Sequence, residues 1–202
     1  MRAGGLACVA GLAAALCLVP TVAFAHGTLA AGDFYAGVLQ PVTHPESLLV
    51  VLALALLAGQ QPEPNLPSLL GAILVATLLG SALAATRVAL PSLPWVARAG
   101  ALIAGILVAA RWAPHWIALV VFAAIVAASH GYSATFGELE EIERPLLYVP
   151  GLVAGVLLIL GNVVSLMLRF DAFWTQVAYR IVGSWIATIT LLVSALELRG
   201  PS

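Results

Sequence analysis

The chain has 202 residues, of which 62% are hydrophobic and only 8% charged, and its mean hydropathy is +1.09. Soluble proteins carry roughly a quarter of their residues as charges, so this composition excludes the soluble class and indicates an integral membrane protein. A net charge of −1, with no lysine, also argues against a nucleic-acid partner, which requires a concentrated basic surface.

The N-terminal segment has the three parts of a secretory signal peptide. Arg2 provides a basic start, residues 6–19 are apolar, and Ala23, Phe24 and Ala25 form a small-x-small cleavage site. We therefore predict cleavage after Ala25; an uncleaved first helix is the alternative. The expected domains are a signal peptide, residues 1–25, and a six-helix transmembrane domain, residues 26–202.

Both cysteines, Cys8 and Cys17, fall inside the predicted signal peptide. The mature chain would then contain no disulfide and no thiolate metal ligand. Any metal site must be built from histidine, carboxylate, backbone or water ligands.

Six apolar segments follow the signal peptide, and each approaches the roughly 20 residues that a membrane-spanning helix needs. Repeated prolines at 62–67 and a strongly polar stretch at 130–145 separate some of them. The predicted helices cover residues 45–59, 68–85, 95–110, 115–129, 146–168 and 174–196. The fold class is therefore all-α, a polytopic membrane protein with the lipid bilayer as a partner.

The predicted signal peptide also sets the orientation. Cleavage leaves His26 outside, and six crossings return the C-terminus to the same side. We expect a multi-pass protein of the bacterial inner (cytoplasmic) membrane with a periplasmic mature N-terminus. This orientation places the acidic stretch and the start of the first helix on one external face, although the arginines alone do not settle it.

A set of candidate metal ligands lies on that external face. His44 and Glu46 flank Pro45 where the chain enters the first apolar helix, and His130 is expected at the end of the fourth helix. The mature N-terminus would add the imidazole and α-amine of His26. Three imidazoles and a carboxylate without thiolates suit Ni²⁺, Co²⁺, Zn²⁺ or Cu²⁺. The predicted metal site is His26, His44, Glu46 and His130.

Each member of this set also has a purely structural alternative. His44 and His130 could cap helices or lie at the membrane interface, and His26 could belong to a mobile terminus. Glu46 could interact with the positive end of its helix, or pair with Arg98 a few residues into the third helix. An Arg98–Glu46 pair would weaken the interpretation as a cation site.

The sequence contains no phosphate-binding glycine loop, nucleophile elbow or His-Glu-x-x-His motif. We therefore do not expect an enzyme or a tightly bound cofactor. Transport, if it occurs, would be passive or coupled to an ion gradient and not driven by ATP.

Residues 34–49, FYAGVLQPVTHPESLL, can be aligned without a gap to the motif F-x-x-G-x-x-H-P-x-x-G-x-D-H-L-L. That motif opens the first helix of the HupE/UreJ membrane proteins. The start of the polar stretch, His130-Gly131-Tyr132, resembles the His-Gly-rich turn after the fourth helix of that family, and residues 148–151 resemble its entry to the fifth. The resemblance extends over essentially the whole chain.

The chain departs from this motif at four positions. Gln40 and Ser47 stand where the family has its two histidines, His44 replaces a glycine, and Glu46 replaces the aspartate. Of the histidines in the second motif, His130 is kept and the others are absent.

The family is associated with nickel or cobalt uptake for hydrogenase and urease. The resemblance thus implies a permease, or permease-like protein, that carries Ni²⁺ or Co²⁺ as cargo. It also implies further copies of the chain or metalloenzyme maturation proteins as partners. The alternative is a non-transporting membrane subunit that acts in assembly or partner recruitment. Proximity of His44, Glu46 and His130 would favour the permease, and an Arg98–Glu46 pair with His130 facing lipid or water would favour the subunit.

Overall fold

The computed structural model describes residues 32–61, 65–112, 114–170 and 172–199. The predicted signal peptide and His26 lie outside these residues. The described residues form α-helices and the loops that connect them. Its seven helices are α1 (Asp33–Thr43), α2 (Pro45–Gly59), α3 (Leu66–Ala85), α4 (Leu93–Ala110), α5 (Trp116–Phe136), α6 (Pro145–Arg169) and α7 (Phe173–Arg199).

Five of these helices, α3 to α7, are long and apolar enough to cross a membrane. Helices α1 and α2 meet at an angle of 77° around His44, and as one broken span they provide a sixth crossing. The prediction of an all-α membrane protein with about six transmembrane helices is confirmed.

Prolines explain where four of the helices begin. Each of these prolines occupies one of the first two helical positions, where the missing N–H has no intrahelical partner to lose. The four are Pro45 of α2, Pro67 of α3, Pro94 of α4 and Pro145 of α6.

Helix α2 lies at the centre of the bundle and packs against each of the other six described helices. Its sequence is apolar on every face, which is typical of a helix surrounded by protein. Ala53, Ala55 and Ala58 are fully buried, and Val51 and Leu57 nearly so. These small and medium side chains let six neighbours surround one helix.

Helix α1 runs along α6 through contacts that only glycine permits. A Cβ atom on Gly151 would collide with the carbonyl oxygen of Phe34, and one on Gly155 with that of Val38. A Cβ on Gly37 would likewise meet the backbone of Tyr148. Small residues allow such close approach in membranes, where apolar burial gives helices no driving force to associate.

Two sequence-based boundaries differ from the structure. Residues 33–43, which precede the first predicted helix, form the separate helix α1 despite Pro41. Helix α5 continues to Phe136, so His130 lies inside it and does not end it.

Candidate metal site

A recess lies at the break between α1 and α2 because α2 is short. Its 15 residues extend about 22 Å, against about 30 Å of hydrocarbon in a bilayer. At its far end α2 is level with its neighbours, since the Gln60 amide donates to the carbonyl oxygen of Val108 near the end of α4 (3.2 Å). The missing length is therefore at the end where α2 begins.

Two contacts show how far the first turn of α2 lies below the ends of α4 and α5. Glu46 pairs with Arg98, which lies five residues after the start of α4, and Ser47 contacts His130, six residues before the end of α5. At 1.5 Å per residue, the first turn of α2 lies roughly 8–9 Å below the ends of these helices.

The recess contains a cavity of about 350 Å³. The end of α1, the starts of α2 and α4 and one side of α5 form its wall. The polar residues of the wall are Gln40, His44, Glu46, Ser47, Arg98, His130 and Ser133.

A buried polar chain of three residues forms one side of the cavity. The Ser47 hydroxyl donates to the amide oxygen of Gln40 (2.9 Å) and lies 2.5 Å from Nε2 of His130. All three side chains are buried; His130 is only 3% exposed. Because a serine hydroxyl has one proton, donation to Gln40 requires His130 to carry its proton on Nε2.

His44 lies at the rim of the cavity between two acceptors. Its Nε2 is 3.0 Å from a carboxylate oxygen of Glu138, and its Nδ1 is 3.3 Å from the carbonyl oxygen of Gln40. The Thr43 hydroxyl oxygen is a third neighbour, 3.1 Å from Nδ1. A metal ion at His44 would have to replace one of these contacts.

Arg98 joins α2, α4 and α7 at the same level. Its guanidinium contacts Glu46 through Nε (2.9 Å) and Nη2 (2.8 Å), and reaches Glu197 of α7 through Nη1. The Trp95 ring centre lies 5.1 Å from the guanidinium carbon. The pairing that the sequence offered as the alternative role of Glu46 is present.

The predicted ligands thus converge on one cavity without forming an assembled cluster. His44, Glu46 and His130 all line it, and each has another protein partner. Within the described parts of the chain, no three His, Cys, Asp or Glu side chains are grouped to hold a metal ion. The fourth predicted ligand, His26, is not among the described residues.

The interpretation of His130 as an interfacial or capping residue is wrong. It lies inside α5 and points to the centre of the bundle, where Ser47 meets it. Burial of an imidazole within a membrane bundle is costly without a partner, and this is why it is paired.

The sequence did not single out Gln40 and Ser47 as functional residues. Both are departures from the family motif, at its two histidine positions. In the structure these positions meet each other and His130. An amide oxygen, a hydroxyl and an imidazole nitrogen can together hold a hydrated divalent cation loosely, since each supplies a lone pair once its hydrogen bond is exchanged.

Comparison with known proteins identifies one family. The family model described as HupE / UreJ protein matches residues 14–193. No curated protein and no solved structure gives a significant match. Since the matched region covers most of the sequence and all the helices around the cavity, the chain belongs to the HupE/UreJ family.

Proposed function

We propose that the protein is a HupE/UreJ-type permease for a divalent transition metal ion of the nickel or cobalt class. The family is associated with nickel and cobalt transport or with urease and hydrogenase maturation. In this proposal the protein lies in the bacterial inner membrane with its cavity towards the periplasm. Transport is passive or coupled to an ion gradient.

The observation that carries the proposal is the contact between positions 40, 47 and 130. Residues far apart in sequence, two of them at the motif's histidine positions, line one buried wall of a cavity. A cavity at a broken helix is also the usual setting of ion sites in transporters, where unpaired backbone groups face the ion. The negative C-terminal end of α1 next to the cavity favours a cation, whereas the positive N-terminal ends of α2 and α4 beside it oppose one, so the side chains must supply the attraction.

The entrance has the charge expected for a cation pathway. Glu138 contacts His44 at the rim, and Glu140, Glu141 and Glu143 follow in the same loop. Clustered carboxylates raise the local concentration of cations. An arriving ion would bind His44 first, in place of one of its hydrogen-bond partners. It would then bind the Gln40–Ser47–His130 chain in the same way.

Replacing two motif histidines with an amide and a hydroxyl leaves one imidazole in that chain. Oxygen ligands of this kind hold borderline ions less tightly than imidazoles do. We expect weak, reversible binding, which suits an ion that must leave the site during each transport cycle.

The test is calorimetric titration of the purified protein in detergent with Ni²⁺, Co²⁺, Zn²⁺ and Cu²⁺. His130→Ala should weaken binding about tenfold or more, because a metal–imidazole contact is lost. His115→Ala is the matched control, since His115 is exposed at the opposite end of α5. Absence of binding to the wild-type protein, or equal binding by both variants, would contradict the site.

The alternative function, a non-transporting membrane subunit, is favoured by one observation. Arg98 forms an ion pair with Glu46 and thereby links the start of α2 to α4 and α7. Uptake of the bound ion into proteoliposomes separates the two functions. Metal binding without uptake would favour the subunit, whereas uptake that His130→Ala abolishes would favour the permease.

A further inference from the structure

A second cavity, of about 320 Å³, lies at the opposite end of the bundle from the metal site. The C-terminal ends of α2, α4 and α6 meet the first turns of α7 there. Its polar wall consists of Gln60, Arg111, Gln176, Tyr179 and Arg180. Among the described residues, the lining thus includes two arginines and no carboxylate.

Within the part of the chain that the structure describes, Arg180 is held in position by one hydrogen bond. Its Nε donates to the carbonyl oxygen of Ala109 at the end of α4 (2.8 Å). This bond uses one of the five N–H groups of the guanidinium, so both terminal nitrogens keep their donors. Arg111 follows two residues after Ala109 and lines the same cavity from α4.

Neither arginine is neutralised by a carboxylate within the described ranges. The three ion pairs found there involve His44 and Arg98, all at the other end of the bundle. Arginines near helix C-termini do interact well with the helix dipole, and Arg180 does so through Ala109. Arg111, the C-cap of α4, faces the same negative helix ends through its charge. These roles occupy one N–H group of Arg180 and leave donors of both guanidinium groups for an anion.

We propose that this cavity binds a phosphate group, with Arg111 and Arg180 contacting it together. The planar guanidinium presents parallel N–H donors that match phosphate oxygens, and such charge-assisted bonds are about twice as strong as neutral ones. The site is separate from the metal cavity and does not depend on the proposed transport.

The phosphate group can come from two sources. Trp112 and Trp174 are exposed near the same helix ends, as aromatic residues at a membrane–water interface are. Anionic lipid headgroups reach basic pockets between helices at this level, and so does phosphate dissolved in water. The chemistry of the site is the same for both.

The experiment measures thermal stabilisation of the full chain in detergent by three probes: inorganic phosphate, short-chain phosphatidylglycerol and short-chain phosphatidylcholine. We expect phosphatidylglycerol or inorganic phosphate to raise the melting temperature of the wild-type protein in a saturable way. Stabilisation by phosphatidylglycerol alone identifies a lipid site, and stabilisation by both identifies a general phosphate site.

Arg111→Gln and Arg180→Gln should each weaken the apparent affinity about tenfold, since each removes charge-assisted hydrogen bonds to the phosphate oxygens. Arg169→Gln is a control for charge, because Arg169 ends α6 near this cavity without lining it. Arg87→Gln controls for the effect of replacing an arginine that has a left-handed backbone conformation, because Arg87 has the same conformation as Arg111. Neither control should change the affinity.

Three results would overturn the proposal. One is no stabilisation by either anionic probe, and another is equal stabilisation by phosphatidylcholine. The third is stabilisation of Asp171→Asn but not of the wild-type protein, because a carboxylate next to Phe170 in sequence would then occupy the arginines. Arg180→Lys should retain part of the effect and shows that loss in Arg180→Gln is not misfolding.

Discussion

Ser47 connects two buried side chains that have no other hydrogen-bond partner in the described structure, Gln40 and His130. Ser47→Ala would leave both without a partner, and each unsatisfied buried group costs about 1–3 kcal/mol. We expect the free energy of unfolding to fall by about 2 kcal/mol. Denaturation by SDS in mixed micelles measures this change.

Ser133→Ala is the matched control for Ser47→Ala. Ser133 lines the same cavity, but its hydroxyl donates only to the carbonyl oxygen of Ser129 in its own helix (2.8 Å). Such bonds contribute little to helix stability, so the change should stay within about 0.5 kcal/mol. Equal effects of the two substitutions would show that the Gln40–Ser47–His130 chain does not stabilise the fold.

Arg98 opposes cation binding in two ways: it occupies Glu46 and it adds a positive charge beside the cavity. In water-like surroundings a unit charge about 8 Å from a divalent ion repels it by roughly 1 kcal/mol. Arg98→Gln should therefore tighten divalent-metal binding about fivefold, as measured by titration calorimetry. Weaker binding would mean that Arg98 organises the site.

Arg98→Lys keeps the charge and should leave the metal affinity close to that of the wild type. It also guards against a folding defect in Arg98→Gln, which leaves Glu46 and Glu197 facing each other without a cation. Arg87→Gln should change nothing, because Arg87 is not among the residues that line the cavity.

At the scale of helices, the sequence predicted α2, α3, α4, α6 and α7 to within a few residues, because apolar length and helix-initiating prolines are local signals. Helix α1 escaped prediction since Gly37 and Pro41 each disfavour a helix locally. Packing of α1 against α6 overrides these preferences.

The extension of α5 has a similar cause. After His130 the sequence becomes polar and contains Gly131, which suggested a loop. In the structure Gly131 packs against the backbone of Thr77, and the Tyr132 hydroxyl donates to the carbonyl oxygen of Val88 (2.7 Å). These contacts with α3 and the loop after it keep the last turns of α5 helical, and no local pattern reveals them.

For the site, the sequence identified three residues of the cavity wall, His44, Glu46 and His130. It left open whether Glu46 faced a cation or Arg98, since that depends on the distance between α2 and α4. It also missed the contact of Ser47 with His130, which joins residues 83 positions apart in the chain.

The fit of α1 against α6 predicts opposite outcomes for two glycines of α6. Gly151→Ala places a methyl group against the backbone of Phe34, whereas Gly161 has nothing within 4 Å of its Cβ position. Overpacking costs about 1–3 kcal/mol, while alanine improves an exposed helix position by roughly 0.5–1 kcal/mol. Thermal unfolding in detergent should therefore show a loss for Gly151→Ala and no loss for Gly161→Ala. A loss of the same size in both would contradict the close packing.

At the scale of the molecule, the carboxylates are segregated. Every Asp and Glu in the described ranges lies at the cavity end of the bundle: Asp33, Glu46, Glu138, Glu140, Glu141, Glu143 and Glu197. The arginines of the described ranges are divided almost evenly: Arg87, Arg98, Arg144 and Arg199 lie at the cavity end, and Arg111, Arg169 and Arg180 lie at the other end. The positive-inside rule therefore does not set the orientation, and the orientation proposed above rests on the predicted signal peptide.

The orientation predicts the result of reporter fusions. Alkaline phosphatase should be active when fused after Glu143 or after Arg199, because both positions would be periplasmic. Green fluorescent protein should fluoresce when fused after Phe170, and a fusion after Asn65, at the same end of the bundle, serves as its control. The reverse pattern would invert the proposed direction of the cavity.

The shortness of α2 also has an electrical consequence. If water fills the recess down to Ser47, the membrane voltage falls mainly across the remaining length of about 22 Å and not across the full hydrocarbon thickness of about 30 Å. The electric field along α2 would then be about one third stronger than in plain lipid. A divalent ion moving through that field would gain roughly 4.6 kcal/mol per 100 mV, nearly all of it after leaving Ser47. Binding in the recess would thus be almost independent of voltage, and passage beyond it would be strongly dependent.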